Sequence, residues 1–501
     1  MKAALRAALI VVSALLSSAC AQPPERTSEI AKIDLREGYR FNVIEKLRTD
    51  LLPKTYIAVS FSGGGTRAAA LALGALRGLE ETKLLINGRK TSLVNEIDIL
   101  SSVSGGSVTA AYFALHGRKG FADLEQNFLR EDVQGALIRT ALNPVTWIRL
   151  ATPSYSRIDA LAEYFDEKVF EAKSYQDLLE AAGDGNDRRP YTIINAADMD
   201  TGAVFSFTQD QMDLLCSDLL KLKISDAVAA SAAFPVALTA LTLKNRSPCK
   251  AQRNAPANFF SGWEKKGERN LPSRVVQETD PATLKLNPGR YRRGQLALTY
   301  LNEDGRKDYV HLLDGGVADN LGLTLPLTLS TSAHLPGSVL GRINRGELKR
   351  AVFIVVNARS EPQKDFGKRA TPPGLLATLF TVIGSPIDGS SFLLLDRLQE
   401  TFAAAATARD LVFQTFIVPV DFDFIKNPLC RRRFKNIATS WALPGNEIDA
   451  LLALGKAMVQ ESKAFQDLTK AIDKDLTKAV VGKGASKNTQ DTACALLLGK
   501  S

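Results

Sequence analysis

Apolar and polar positions along this chain follow two rhythms that trade places. A nearly unbroken apolar run, Tyr56-Ile57-Ala58-Val59-Ser60-Phe61, predicts a buried strand, since it is rich in β-branched and aromatic residues. It leads straight into Ser62-Gly63-Gly64-Gly65, after which Thr66 to Glu81 has the spacing of an amphipathic helix. Ile97-Asp98-Ile99-Leu100 predicts a second strand, ending in Ser101-Ser102-Val103-Ser104-Gly105-Gly106, and a helix follows from about Gly106 to Ala114. Residues 120–188 read as mostly helical. There Trp147, Ile148 and Tyr155 stand among Arg139, Arg149 and Arg157, the composition of a cap, of an interfacial segment or of ordinary packing. Tyr191 to Ala197 predicts a strand, and Ile224 to Ala233 a small-residue helix stopped by Phe234-Pro235. Further strands are predicted at Tyr309 to Leu313, running into Asp314-Gly315-Gly316, at Ala351 to Val356 and at Val412 to Val418. Beyond them the pattern is helical to about residue 470. Leu375 to Ile387 is apolar but contains Pro386 and follows Pro372 and Pro373, so it predicts a buried helix or pocket wall, not a membrane span. Strands alternating with helices in this order predict an α/β fold with a mainly parallel sheet.

Lys244 to Asp308 breaks the rhythm: it has little apolar periodicity and holds 14 basic against 7 acidic residues. It reads as surface loops inserted into the sheet domain. At the start, Lys2 and Arg6 precede an apolar run ending in Ser17-Ser18-Ala19-Cys20, the form of a bacterial export signal over residues 1–19. Leu16-Ser17-Ser18-Ala19-Cys20 resembles a lipobox, which would leave a lipidated Cys20, although Ser17 stands where that pattern has a larger apolar residue. Ala19-Cys20-Ala21 fits ordinary cleavage as well. The organisation expected is a signal (1–19), an entry segment (20–50), a catalytic domain (51–360) with the insertion 244–308, a mainly helical extension (361–469) and a Lys-rich tail (470–501).

With 501 residues, 45% apolar and 23% charged, the chain is neither a disordered tail nor a small disulfide scaffold. Its net charge of +9 falls to +7 once Lys2 and Arg6 leave with the signal, a bias that favours an anionic lipid surface. The basic residues are dispersed, without the stripes or motifs of a nucleic-acid binder. Cys216, Cys249, Cys430 and Cys494 allow two disulfides in any of three pairings. Three His and no paired Cys spacing give no zinc pattern.

The chemistry concentrates in three glycine-rich turns at predicted strand ends: Gly63-Gly64-Gly65-Thr66-Arg67, Ser102 to Gly106, and Asp314-Gly315-Gly316. Strand ends at one edge of a parallel sheet converge on one crevice. A serine in a sharp strand-to-helix turn presents its hydroxyl there, with Gly105 and Gly106 letting the helix approach. Glycines at a helix start offer N–H donors to an oxyanion; Gly64 and Gly65 are the first choice, and Arg67 adds a charge that either supports the oxyanion or holds the loop through a carboxylate. His116, His311 and His334 are poorly placed as bases, which leaves Asp314, its pKa raised by burial, as the partner of Ser104.

These residues resemble the patatin-like phospholipase family over roughly Tyr56 to Val356, with Phe61 to Arg67, Ser102 to Gly106, Ala230-Ser231-Ala232-Ala233-Phe234-Pro235 and Leu313 to Asn320 as the four matching motifs. The resemblance implies a three-layer α/β/α fold, a Ser104 nucleophile, an Asp314 partner, an oxyanion hole at Gly63, Gly64, Gly65 and Arg67, and chemistry that needs no metal or cofactor. The elbow departs from the family at Ser102, where glycine is usual. The expected activity is hydrolysis of phospholipid or related acyl esters at a membrane surface, by an exported and lipid-anchored enzyme. An acyltransferase on the same acyl-enzyme, or a catalytically silent lipid-binding envelope protein, are the alternatives. The apolar stretches Val145 to Leu150 and Leu375 to Leu395 are candidates for the acyl-chain wall, with core packing as the other reading. Head-group preference and oligomeric state have no signature in the sequence.

Overall fold

β-Branched and aromatic runs became the central strands of the computed structural model, and their order sets where the site lies. It describes residues 24–48, 52–152, 154–183, 187–235, 237–255, 263–266, 269–331, 338–361, 370, 399–404, 407, 412–476, 480–482 and 489–499, the side chains of 263–274 and 481–482 excepted. Cys20, the leader, His334 and the stretch from Leu375 to Leu395 lie outside these residues. The elements that position the site are β1 (Thr55–Phe61), α1 (Gly65–Glu80), β2 (Ile99–Val103), α2 (Gly105–His116), α3 (Val133–Leu142), α4 (Pro144–Leu150), α5 (Arg157–Phe165), β3 (Tyr191–Asp198), β4 (Val204–Ser206), α6 (Ile224–Ser231), β5 (Leu241–Lys244), β6 (Tyr309–Asp314), α7 (Thr324–Thr331), β7 (Arg350–Asn357), β8 (Gln414–Asp421), α8 (Pro428–Lys435), α9 (Gly445–Glu461) and α10 (Gln490–Leu497).

One sheet runs in the order β8-β7-β1-β2-β3-β6-β5, with β4 added beside β3. From β8 to β3 all pairings are parallel, and every residue of β1, β2, β3 and β7 is buried, as a sheet covered on both faces requires. On the face of Phe61 lie α1 and α2, tied by the Thr109 hydroxyl donating to the Ala69 carbonyl at 2.9 Å, with α9 packed on α1. At Gly74 and Gly455 in that pair a Cβ would meet backbone oxygen at 2.4 and 2.3 Å, so these two helices touch main chain to main chain. On the opposite face, the Ser101 hydroxyl donates to the Gly322 carbonyl at 2.5 Å just ahead of α7. The result is a three-layer α/β/α sandwich.

Two expectations need correction. β6 is antiparallel to its neighbours, so the three turns do not all end parallel strands. β6 enters from beyond the parallel edge and pairs with β3 only through Leu312↔Asp198, Leu313↔Ala197 and Asp314↔Ala196. Because Val103 pairs with Asn195, Ser104 comes level with Ala196 and therefore with Asp314; antiparallel descent brings the aspartate to the same height. The segment 244–308 is also more than loops. It holds a hairpin, Trp263–Lys266 with Arg269–Pro272, and helices at Ser273–Glu278, Pro281–Leu286 and Pro288–Leu298. Asp280 and Asn287 cap the last two with Pro at the first turn. They lack apolar periodicity because the first buries no residue and the second only Gly294 and Ala297. The insertion is anchored at Asp198, the end of β3, whose Oδ2 accepts from Lys307 Nζ at 2.8 Å and from the Tyr300 hydroxyl at 2.7 Å.

The four cysteines pair as Cys216–Cys249 and Cys430–Cys494, closing separations of 33 and 64 residues. The second joins α8 to α10 and fixes the C-terminal helix to the body. Replacing both partners, Cys430→Ser with Cys494→Ser, is expected to lower the unfolding free energy by about 2–4 kcal/mol, read as the shift between chemical-denaturation curves of the double variant and the unaltered chain.

Candidate active site

Ser104 joins β2 to α2 with φ 50° and ψ −124°, a conformation that side-chain-bearing residues avoid and that persists only where the surroundings impose it. Its Oγ donates to Asp314 Oδ2 at 2.9 Å, and Asp314 Oδ1 accepts the Gly316 N–H at 2.8 Å. Both side chains are buried, at 6% and 7% exposure. Loss of water around the carboxylate pushes the Asp314 pKa from 3.8 up to about 6, while the Gly316 and Ser104 hydrogen bonds oppose the rise. Asp314 is therefore a carboxylate poised between forms near neutral pH.

The glycine loop lies against this turn main chain to main chain. A Cβ on Gly105 would stand 2.0 Å from the Gly65 carbonyl oxygen, so no side chain fits between the two loops. Within the loop the donors divide. Gly63 N–H is taken by the Asn320 carbonyl at 3.2 Å and Thr66 N–H by the Ser440 carbonyl at 2.9 Å, whereas the Gly64 and Gly65 N–H groups have no acceptor among the described residues. They stand at the start of α1, whose dipole favours negative charge. Of the residues expected to form the oxyanion hole, Gly63 instead fastens the Asp314 turn to the loop.

Arg67 does not point at this site. Its guanidinium is buried and donates to the carbonyls of Ala358 (2.7 Å) and Ile437 (2.6 Å) and to the Thr439 hydroxyl (2.9 Å). Burial pushes its pKa down to about 10, with Glu447 acting against the shift. It holds the loop through two carbonyls and a hydroxyl, where the sequence had offered oxyanion support or a carboxylate contact. Ser102, the departure at the elbow, is fully buried and donates to the Ile193 carbonyl at 3.1 Å, so the extra side chain is satisfied. His311 pairs with Thr242 through Nδ1 at 3.0 Å on the neighbouring strand, and His116 packs tilted against the Tyr112 ring at the far end of α2. No three His, Cys, Asp or Glu among the described residues group as a metal site would require.

A family model, the patatin-like phospholipase, matches residues 59–327, more than half of the chain. The chain belongs to the patatin-like phospholipase family. Lipid acyl hydrolysis is the class of activity that membership carries. Among solved structures, human GIVD cytosolic phospholipase A2 is similar at 11% identity over 91% of this chain and 69% of that one, with a TM-score of 0.44. VipD from Legionella pneumophila is similar at 11% identity over 96% of this chain and 78% of that one, with a TM-score of 0.28. No curated protein matches the sequence.

Inside this patatin-like domain, the motif Ala230 to Pro235 has a task that its sequence did not disclose. The Ser231 hydroxyl accepts the Ser104 N–H at 2.7 Å, donates to the Asn195 carbonyl at 2.6 Å and lies 3.0 Å from the Ser107 hydroxyl. Its carbonyl takes the Gly315 N–H and that of Ala233 takes the Asp314 N–H, both at 3.0 Å. One helix end thus grips the backbone of both Ser104 and Asp314. The only sequence signal was a small polar residue among alanines. Ser231→Ala is expected to lower kcat on a soluble ester by about 10- to 100-fold with the melting temperature within a few degrees of the parent; unchanged kcat would show that the elbow holds its shape without this hydroxyl.

Proposed function

We propose that this protein is a serine lipid acyl hydrolase, a phospholipase A or lysophospholipase that cleaves acyl esters through an acyl-enzyme on Ser104. The observation that carries the reading is the 2.9 Å hydrogen bond from Ser104 to a buried Asp314, set beside two uncommitted N–H donors. Ser104 Oγ attacks the ester carbonyl carbon as Asp314 Oδ2 takes its proton. The carbonyl oxygen gains negative charge and is stabilised by the Gly64 and Gly65 N–H groups at the start of α1. Collapse breaks the bond to the alcohol, which leaves with the proton from Asp314. Water then gives its proton to Asp314 and attacks the acyl-enzyme, freeing the fatty acid and restoring Ser104. No histidine is needed, because a carboxyl with a pKa near 6 can both accept and return the proton close to neutral pH.

Export fits the same reading. Two disulfides use every cysteine after Cys20, the usage of an oxidising compartment, and a lipid on Cys20 would hold the enzyme at its substrate. No helix among the described residues is long and apolar enough to cross a membrane.

Fatty-acid release from mixed phospholipid vesicles, run with chelator, tests the assignment: Ser104→Ala and Asp314→Asn should each lose at least about 1,000-fold, and a fluorophosphonate probe should label only the Ser104 peptide. Retained release in either variant would overturn the dyad. The pH profile has a defined sign. Asp314 must be ionised to accept the proton, so kcat/KM on a soluble ester should be half-maximal at about 6, level off about one unit above it and fall as pH drops below it; a profile flat down to pH 4 would assign the base elsewhere.

A further inference from the structure

Five of the thirteen large apolar side chains exposed among the described residues lie between Ile138 and Ile148, far more clustered than scattered surface residues are. α3 and α4 form a helical hairpin in which every residue from Ala141 to Arg149 except Thr146 is exposed. Leu142 is 67% exposed, Trp147 62% and Ile148 71%, so apart from Thr146 the stretch Val145 to Leu150 faces outward and matches neither acyl-chain wall nor core packing. Between Val133 and Ser156 the only charged residues are Arg139 and Arg149. Arg149 pairs with Glu163 and lies 3.7 Å over the Tyr155 ring, while Arg139 stands 3.9 Å from Asp132 with 70% of its side chain exposed. The Trp147 indole donates to the Ala141 carbonyl at 2.6 Å, which satisfies its one polar atom and leaves the ring free. Tryptophan and arginine flanking exposed aliphatics is the composition of a helix that lies in a bilayer interface.

We propose that the α3–α4 hairpin is the membrane-docking face, seating the enzyme on an anionic phospholipid surface; this rests on the lipid acyl hydrolase reading above and says how that site meets its substrate. Charge is compatible with this occupant: Arg149 is taken by Glu163, but the segment from Val133 to Ser156 carries no acidic residue of its own, Arg139 is largely exposed beside Asp132, and the chain as a whole carries +9. Position favours it too. Gln134 in the first turn of α3 accepts a hydrogen bond from Ser440 at 2.6 Å, and the Ser440 carbonyl accepts the Thr66 N–H at the head of the glycine loop. The start of α3 is thus joined through Ser440 to the head of α1 beside the glycine loop, and the apolar cluster begins at Ile138, one helical turn further on.

The hairpin carries its own reporter. In the full-length chain with Cys20→Ser, which removes the acylation site, and Ser104→Ala, which prevents hydrolysis, Trp147 emission should shift to the blue on vesicles of equal phosphatidylglycerol and phosphatidylcholine. Acyl-chain-brominated lipid should quench it, and Trp147→Phe should abolish both signals. Adding Leu142→Ser with Ile148→Ser should cut the bound fraction at fixed lipid by at least about tenfold. With Ser104 intact, the same pair should slow fatty-acid release from vesicles and leave soluble-ester hydrolysis unchanged. An unshifted Trp147, equal binding by the Leu142/Ile148 variant, or a dimer that this variant dissociates would each overturn the proposal. A chain that docks through Trp147 yet cleaves no ester would uphold the docking face and refute the activity.

Discussion

The geometry around Ser104 depends on one unfavourable backbone conformation held in place from three sides. A residue with a side chain at φ 50° and ψ −124° costs about 1–3 kcal/mol, and the neighbouring chain supplies what makes it persist. The Ser231 hydroxyl takes its N–H, Gly105 lies on the Gly65 carbonyl, and β2 behind it is buried between two parallel neighbours. Release of any of these would let the turn relax and carry the hydroxyl away from Asp314. The same contacts explain why the four sequence motifs meet in space. Each supplies one side of a single junction, the Asp314 turn being tied to the glycine loop through Asn320 and to α6 through Ala233 and Ser231.

Electrostatically, no cation among the described residues acts on Asp314. The one arginine in the motifs is turned into the layer behind the loop, where three oxygens absorb its donors. An arginine beside Asp314 would lower the carboxylate's proton affinity and weaken it as a base. Burial without a counter-charge does the reverse. Keeping the positive charge one layer away is what the proposed role of Asp314 as the base would require.

What was legible in the sequence was whatever glycine and β-branched residues dictate locally. β1, β3 and β7 were recognisable as apolar runs, and Ser104, Asp314, Gly64 and Gly65 as residues at glycine-rich turns; β2 was placed about two residues early, because Ser101 and Ser102 look like turn and yet continue the strand to Val103. The direction of β6 was not, because strand polarity is set by the chain's path before and after the strand, not by its own residues. Ser231 gave no signal of its role, since its partners Ser104 and Asn195 are 127 and 36 residues away. Ile138 to Ile148 shows the limit of periodicity most clearly. The same spacing serves a helix that faces a core and one that faces outward, and only the body of the protein decides which. The helices of the insertion were read as loops, because Asp280 before Pro281 and Asn287 before Pro288 mark only where helices start and there is no apolar stripe to mark their course.

Arg26 adds a constraint of a different kind. Its guanidinium is buried between Asp159 on α5 and Asp226 on α6 and pairs with both, so the N-terminal strand of chain is already locked into the body at this point. Cys20 is only six residues upstream, and a fully extended segment of that length spans at most about 20 Å. With the proposed lipid on Cys20, that leash is no longer than the radius of gyration expected of a domain this size, about 23 Å. An enzyme so tethered could not lift clear of the bilayer or turn freely above it. Its search for substrate would be confined to two dimensions, with lateral diffusion of lipid and not encounter from solution setting how often an ester arrives.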